Sequence, residues 1–107
     1  MGQTAKRLSG PSLVTNAAAT QYTCPASTIT TIKNIHVFNG SASAATFTLS
    51  IGADAAGTRI FDALSIPANS PYDSFGPFVL SAAEIIQAFS GTNNVLTLTI
   101  DGIESTP

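Results

Sequence analysis

Two segments alternate with a period of two, and this restricts the chain to a β fold. In Thr46-Phe47-Thr48-Leu49-Ser50-Ile51 the odd positions are large and apolar and the even ones are hydroxyls. In Val95-Leu96-Thr97-Leu98-Thr99-Ile100-Asp101 the even positions Leu96, Leu98 and Ile100 are the apolar ones. Successive side chains of a strand point to opposite faces, so each segment buries one set and exposes the other. Thr and Ile add to this preference, because branched side chains fit a pleated surface.

A third segment, Ser27 to Phe38, carries large apolar groups at both parities. Ile29, Ile35 and Val37 share one, and Ile32, His36 and Phe38 share the other. Such a strand is expected to be covered on both faces, by the second sheet on one side and by a loop, an arm or another subunit on the other. Further strands are expected at Thr20 to Cys24, Arg59 to Ile66 and Ser74 to Leu80, the last an edge strand or one with a bulge because of Pro77. Turns are expected at Asn39-Gly40, Gly52 to Gly57, Pro67 to Pro71, Gly91 to Asn94 and Asp101-Gly102. Ser81 to Phe89 reads two ways. Ser81 and Glu84 have capping-box spacing, and Ala82, Ile85, Ile86 and Phe89 share a helical face. Glu84 to Phe89 also reads as a strand.

Seven short strands with polar turns imply an all-β chain, a single β-sandwich or jelly-roll-like domain. A length of 107 residues suits one domain, with residues 18–107 as the sandwich. Its expected core is Phe47, Leu49, Ile51, Ile60, Leu64, Ile66, Leu80, Ile86, Leu96, Leu98 and Ile100. Residues 1–17 read as an extended N-terminal arm, either a free terminus or a segment lying on a neighbouring subunit. They hold Lys6 and Arg7, two of the four cations.

Charge narrows the function classes. Only 9% of residues are charged, against roughly 25% in an average soluble domain. Ala, Ser and Thr supply 42 residues instead. Four cations and a net charge of −2 make no electrostatic footprint for nucleic acid. No run of about 20 apolar residues offers a membrane span. No secretory signal follows Lys6 and Arg7, so synthesis in a cytoplasm is expected, and one unpaired Cys24 agrees. Hydroxyl and amide surfaces cost less to desolvate than charged ones, so this exterior suits burial against other protein.

Candidate chemistry is sparse. Gly52-Ala53-Asp54-Ala55-Ala56-Gly57-Thr58-Arg59 has phosphate-loop glycine spacing but lacks its Lys and a following helix, so a hairpin connection is expected. His36 is the only histidine, and Cys24 has no cation near it in sequence. The carboxylates Asp54, Asp62, Asp73, Glu84, Asp101 and Glu104 are scattered, and no run resembles a calcium loop. We expect no catalytic site, metal or cofactor. Tyr72, Phe75 and Phe78 are a candidate stacking platform for sugar, which leaves a carbohydrate-binding module as the alternative of another class.

One ordered pattern goes further. Tyr22-Thr23-Cys24-Pro25-Ala26-Ser27 leads to Ile32-Lys33-Asn34-Ile35-His36-Val37-Phe38-Asn39, then to Ala45–Gly52 and Ser65-Ile66-Pro67-Ala68-Asn69. Gly76-Pro77-Phe78-Val79-Leu80, Glu84-Ile85-Ile86-Gln87-Ala88 and Thr97-Leu98-Thr99-Ile100-Asp101-Gly102-Ile103-Glu104 follow. Over residues 20–104 this resembles small β-sandwich virion structural proteins of tailed bacteriophages. Ala83 stands where that pattern has a turn glycine. The resemblance implies a turn and then a strand after Ser81, and a strand is our expectation there. It also implies a virion component without an enzymatic site. One such role is a capsid decoration (cement) protein on the capsid exterior, a homo-oligomer and commonly a trimer, bracing the major capsid protein. The other is a tail, collar or head–tail component. Expected assembly residues are Lys6, Arg7, Leu8, Leu13 and Val14 in the arm, then Ile32, His36 and Phe38.

Overall fold

A computed structural model of the chain describes residues 2–106. Every regular element among them is a strand: β1 (Gly2–Leu13), β2 (Ala19–Thr23), β3 (Ile29–Asn39), β4 (Ala45–Ile51), β5 (Arg59–Ile66), β6 (Ser70–Leu80), β7 (Ile85–Ser90) and β8 (Leu96–Thr106). They form two four-stranded antiparallel sheets, ordered β1-β8-β3-β6 and β2-β7-β4-β5. The sheets pack face to face as a β-sandwich with jelly-roll strand order. We call them the first and second sheet.

The alternating segments behave as their period requires. Leu96, Leu98 and Ile100 on β8 and Phe47 and Leu49 on β4 are fully buried between the sheets. Ile66, Leu80, Ile86, Ile35 and Val37 complete the same core. Ile51 and Ile60 pack against its rim, and Leu64 is half-buried.

The mixed parity of β3 has a cause other than cover on both faces. Its pairing with β8 slips between Ile32 and Asn34, so Lys33 is an extra residue. A one-residue bulge switches which parity faces inward. Thr30 and Ile32 therefore point into the core before it, and Ile35, Val37 and Asn39 after it. Ile32 is a core residue and offers no surface to a partner. Asp101-Gly102 is likewise no turn, because β8 continues through it to Thr106. Gly102 faces Ile32 where the bulge draws the two backbones together. Pro77 sits where sequence chemistry allows it, on edge strand β6 beside an irregularity in the pairing with β3.

Ser81 to Glu84 form a turn, and the strand begins at Ile85. The capping-box chemistry is present without a helix: Ser81 N–H donates to Glu84 Oε1 at 2.5 Å. Ala83 holds φ 70°, the left-handed conformation that favours glycine.

Most of the segment expected as an arm is extended backbone paired within its own chain. Gly2–Leu13 forms edge strand β1 against β8, from Gly2 opposite Thr106 to Leu13 opposite Thr97. Val14 then turns inward and is fully buried, its N–H on Leu96 O. It belongs to the core rather than to any contact surface. Met1 lies outside the described residues.

Candidate assembly surface

The outward faces of the two sheets differ. On the second sheet, Thr48 and Ser50 point away from the core yet are buried. The chain covers them itself. Ala63 N–H donates to Thr48 Oγ1, and Ser50 Oγ donates to Asp54 Oδ1 at 2.8 Å. The Gly52–Thr58 loop, expected from its glycines, is pinned across this face by Asp54 N–H on Gln87 Oε1. Arg59 closes the cover. Its guanidinium grips both oxygens of Asp54 at 2.9 and 3.0 Å, reaches Asp62 at 3.1 Å, and lies 5.5 Å from the Phe89 ring centroid. The Arg59 hydrogen bonds, with help from Ser50, hold the Asp54 carboxyl below its ordinary range, and the same contact raises Arg59. The loop with phosphate-loop spacing is a lid on a sheet, locked by a cation–carboxylate fork.

Among the described residues no loop covers the first sheet's outer face in this way. Among the described residues the exposed large apolar side chains are Leu13 (56%), Ile29 (54%), Phe38 (39%), Phe75 (74%) and Val79 (60%). All five lie on β1, β3 or β6 of this sheet. Residues directly opposite in neighbouring strands share a face, so the pairings lay out the surface in rows. One end row runs Leu13, Thr97, Phe38, Pro71. Next come Thr99, His36 and Asp73, then Arg7, Asp101, Asn34 and Phe75. An apolar row of Ala5, Ile103, Thr31 and Val79 follows, with Ile29 and Ser105 beyond it. His36 Nδ1 lies 2.6 Å from Asp73 Oδ1, so the one histidine is tied to a carboxylate across the strand gap. Asn34 Oδ1 is buried without a hydrogen-bond partner.

The expected assembly residues divide accordingly. Arg7, Leu13, His36 and Phe38 share this outer face. Leu8 packs against the core. Lys6 faces the other way and bonds Glu104 Oε1 at 3.1 Å. Glu104 also accepts the Tyr22 hydroxyl, which ties β2 of the second sheet to β8 of the first. Burial and this carboxylate push the Tyr22 phenol up to about 12. The Tyr22 hydrogen bond, then Lys6, holds Glu104 low. Sequence reasoning missed Ile29, Val79 and Ile103 as outer-face groups. The signal was available for Val79, because Pro71, Asp73, Phe75, Pro77 and Val79 share one parity and Tyr72, Phe78 and Leu80 the other.

The candidate sugar platform does not assemble. Tyr72 and Phe78 pack against the core, with Tyr72 edge-on to Phe61 at 5.8 Å, while Phe75 points outward alone. Cys24 is buried with its thiol on Thr28 O and beside Thr30 Oγ1, whereas His36 stands on the outer face. Among the described residues no three His, Cys, Asp or Glu side chains gather as metal ligands. A groove lined by Ser27, Thr28, Ile29, Ser81, Ala82, Ser105 and Thr106 opens at one end of the first sheet and contains no ionisable side chain. No described helix is long and apolar enough to cross a membrane.

No protein-family model and no curated protein matches this chain. Solved structures do. A structure of Bacillus endospore appendages, a family of disulfide-linked pili, covers 97% of this chain and 88% of its own, at 11% identity and a TM-score of 0.58. Two structures of tobacco streak virus coat protein, one of them of its dimer, cover 98% of this chain and 87% and 85% of their own. Their identities are 12% and 15% and their TM-scores 0.49 and 0.48. At such identities the likeness is one of fold, and the endospore appendage carries it: an all-β sandwich over nearly the whole chain.

Proposed function

We propose that this chain is a non-enzymatic structural protein of a tailed-phage virion, acting as a capsid decoration protein. It would work by protein–protein contact alone. The observation that carries this reading is the first sheet's outer face, where every exposed large apolar side chain among the described residues collects, while on the opposite face the chain's own loop covers Thr48 and Ser50. A monomer's exposed apolar groups are normally scattered, and their concentration on one side marks a protein contact. The low charge of the exterior supports the same reading, because little is lost when it is desolvated.

In this role the N-terminal segment acts while paired to β8, contributing Arg7 and Leu13 to the contact face. Each contact is modest, and repetition by capsid symmetry makes the sum resist internal pressure. The resemblance to phage virion proteins supports a virion role, and within it this proposal names the capsid exterior as the location and the major capsid protein among the partners. The carbohydrate-binding alternative loses its platform, since Tyr72 and Phe78 pack inward.

Copy number tests this reading. Particles of the source phage are purified and the chain is quantified against the major capsid protein. A ratio of the same order supports decoration. A few copies per particle move the protein to the tail, collar or head–tail junction. Absence from particles refutes both virion readings.

A further inference from the structure

We infer that the first sheet's outer face is a self-complementary contact that joins two copies of this chain about a two-fold axis running along the strands. This rests on the reading of the chain as a self-assembling structural protein and names the partner of its open face. The arrangement of the rows carries the inference. A two-fold axis parallel to the strands sets β1 over β6 and β8 over β3 of the second copy, and each row meets itself. Leu13 then faces the second copy's Pro71, and Ala5 faces its Val79. Arg7 falls over the second copy's Phe75, the geometry in which a guanidinium gains from a ring face. Asp101 opposes Asn34 of the second copy and Thr99 opposes its His36. Leu13 and Val79 thus meet apolar groups, Phe38 and Ile29 meet the hydroxyl residues Thr97 and Ser105, and a cation lies over a ring and a carboxylate beside an amide.

Size and packing agree. The molecule extends 46 × 25 × 18 Å, so a face along its long axis is of the order of the roughly 800 Å² per partner of a standard stable interface. Twisted sheets stack face to face with strands within about 30° of each other, about 10 Å apart, and a two-fold along the strands allows this packing. The second sheet cannot do the same, because the Asp54–Arg59 lid stands on it.

The test is the mass of the full-length protein by light scattering and sedimentation across a dilution series. The wild type is compared with Phe75→Glu, Phe38→Glu and the lid control Ala56→Glu, all at exposed positions. The expected result is a two-chain species whose dissociation constant rises about tenfold or more in Phe75→Glu and Phe38→Glu, because each puts a charge where an aromatic anchor would be buried, and stays unchanged in Ala56→Glu. Circular dichroism of each variant verifies that the fold survives. A monomer at every concentration overturns the inference. So does a closed three-chain species, since an isologous contact closes at two, and so does a dimer indifferent to both face variants. A monomer that still decorates particles would overturn this contact and leave the proposed function standing. A dimer with the expected variant response, absent from all particles, would support the contact and refute that function.

Discussion

Gly102 provides a sharp test of the β3–β8 junction. It lies on β8 opposite Ile32 of β3 and Lys6 of β1. A methyl group built on it meets Thr31 O at 2.3 Å, Leu8 Cδ1 at 2.9 Å and Ile32 Cα at 3.2 Å. The Leu8 side chain can rotate aside. The Thr31 carbonyl cannot, because it belongs to the backbone between two paired strands. Ordinary contact begins at 3.4 Å, so Gly102→Ala must part strands that normally sit about 4.8 Å apart by a sizeable fraction of that spacing. Overpacking of this kind costs about 1–3 kcal/mol, and a clash with backbone belongs at the upper end. For a domain of this size, about 2–3 kcal/mol lowers Tm by roughly 10–20 °C. Gly57→Ala is the matched control, since its added methyl meets nothing within 4 Å. It should leave Tm unchanged or raise it, gaining up to about 1 kcal/mol by restricting the unfolded chain. Calorimetry or far-ultraviolet circular dichroism reads both. Equal Tm values for the two variants would refute the close approach and restore Asp101-Gly102 as an open turn.

Four further outcomes follow from the same packing and electrostatics. Phe47→Ala removes a fully buried ring from the centre of the core and should cost about 3–5 kcal/mol in urea unfolding; a loss below about 1 kcal/mol would misplace the ring. Ala83→Gly relieves a left-handed alanine and should stabilise by about 0.5–1 kcal/mol after the entropic cost of glycine, and a lower Tm would contradict this. Glu104 and Asp54 are held low in the folded state, so the unfolded chain binds protons first. Their stabilisation is present above the ordinary carboxylate range and lost as pH falls through the folded values. Glu104→Gln should flatten the acid limb, and an unchanged slope would exclude the Tyr22–Glu104–Lys6 cluster as its source. Tyr22 acts at the other extreme: its phenol is raised from 10.0 to about 12, so stability falls as pH climbs through that interval.

Alternation made β4 and β8 legible, because inward and outward positions on a strand differ only by parity. The fold class followed from this. The chemistry of the turns was less transparent. Asp101-Gly102 has the composition of a turn, yet its glycine serves a close approach between backbones that are distant in sequence. Ser81 and Glu84 make their capping contact in a turn that never becomes a helix, because Ile86 and Ala88 are drawn into the core from a strand. The candidate contact face was half readable. His36 and Phe38 were visible as groups of one parity, but Ile32 shares that parity and is buried. Only the bulge at Lys33 separates them, and it is set by the pairing of β3 with β8 and β6 rather than by a local turn residue.

What the sequence determined alone is the β fold, the identity of most of the core, and an exterior poor in charge. These follow from local periodicity and composition, which each residue carries with it. The tertiary structure decided which apolar residues face outward, that Gly2–Leu13 pairs with its own β8, and that a loop crosses the outer face of one sheet and not of the other. Those outcomes depend on strand register and on the Asp54–Arg59 fork. They are set by contacts between residues far apart in the chain or by geometry that residue types do not encode.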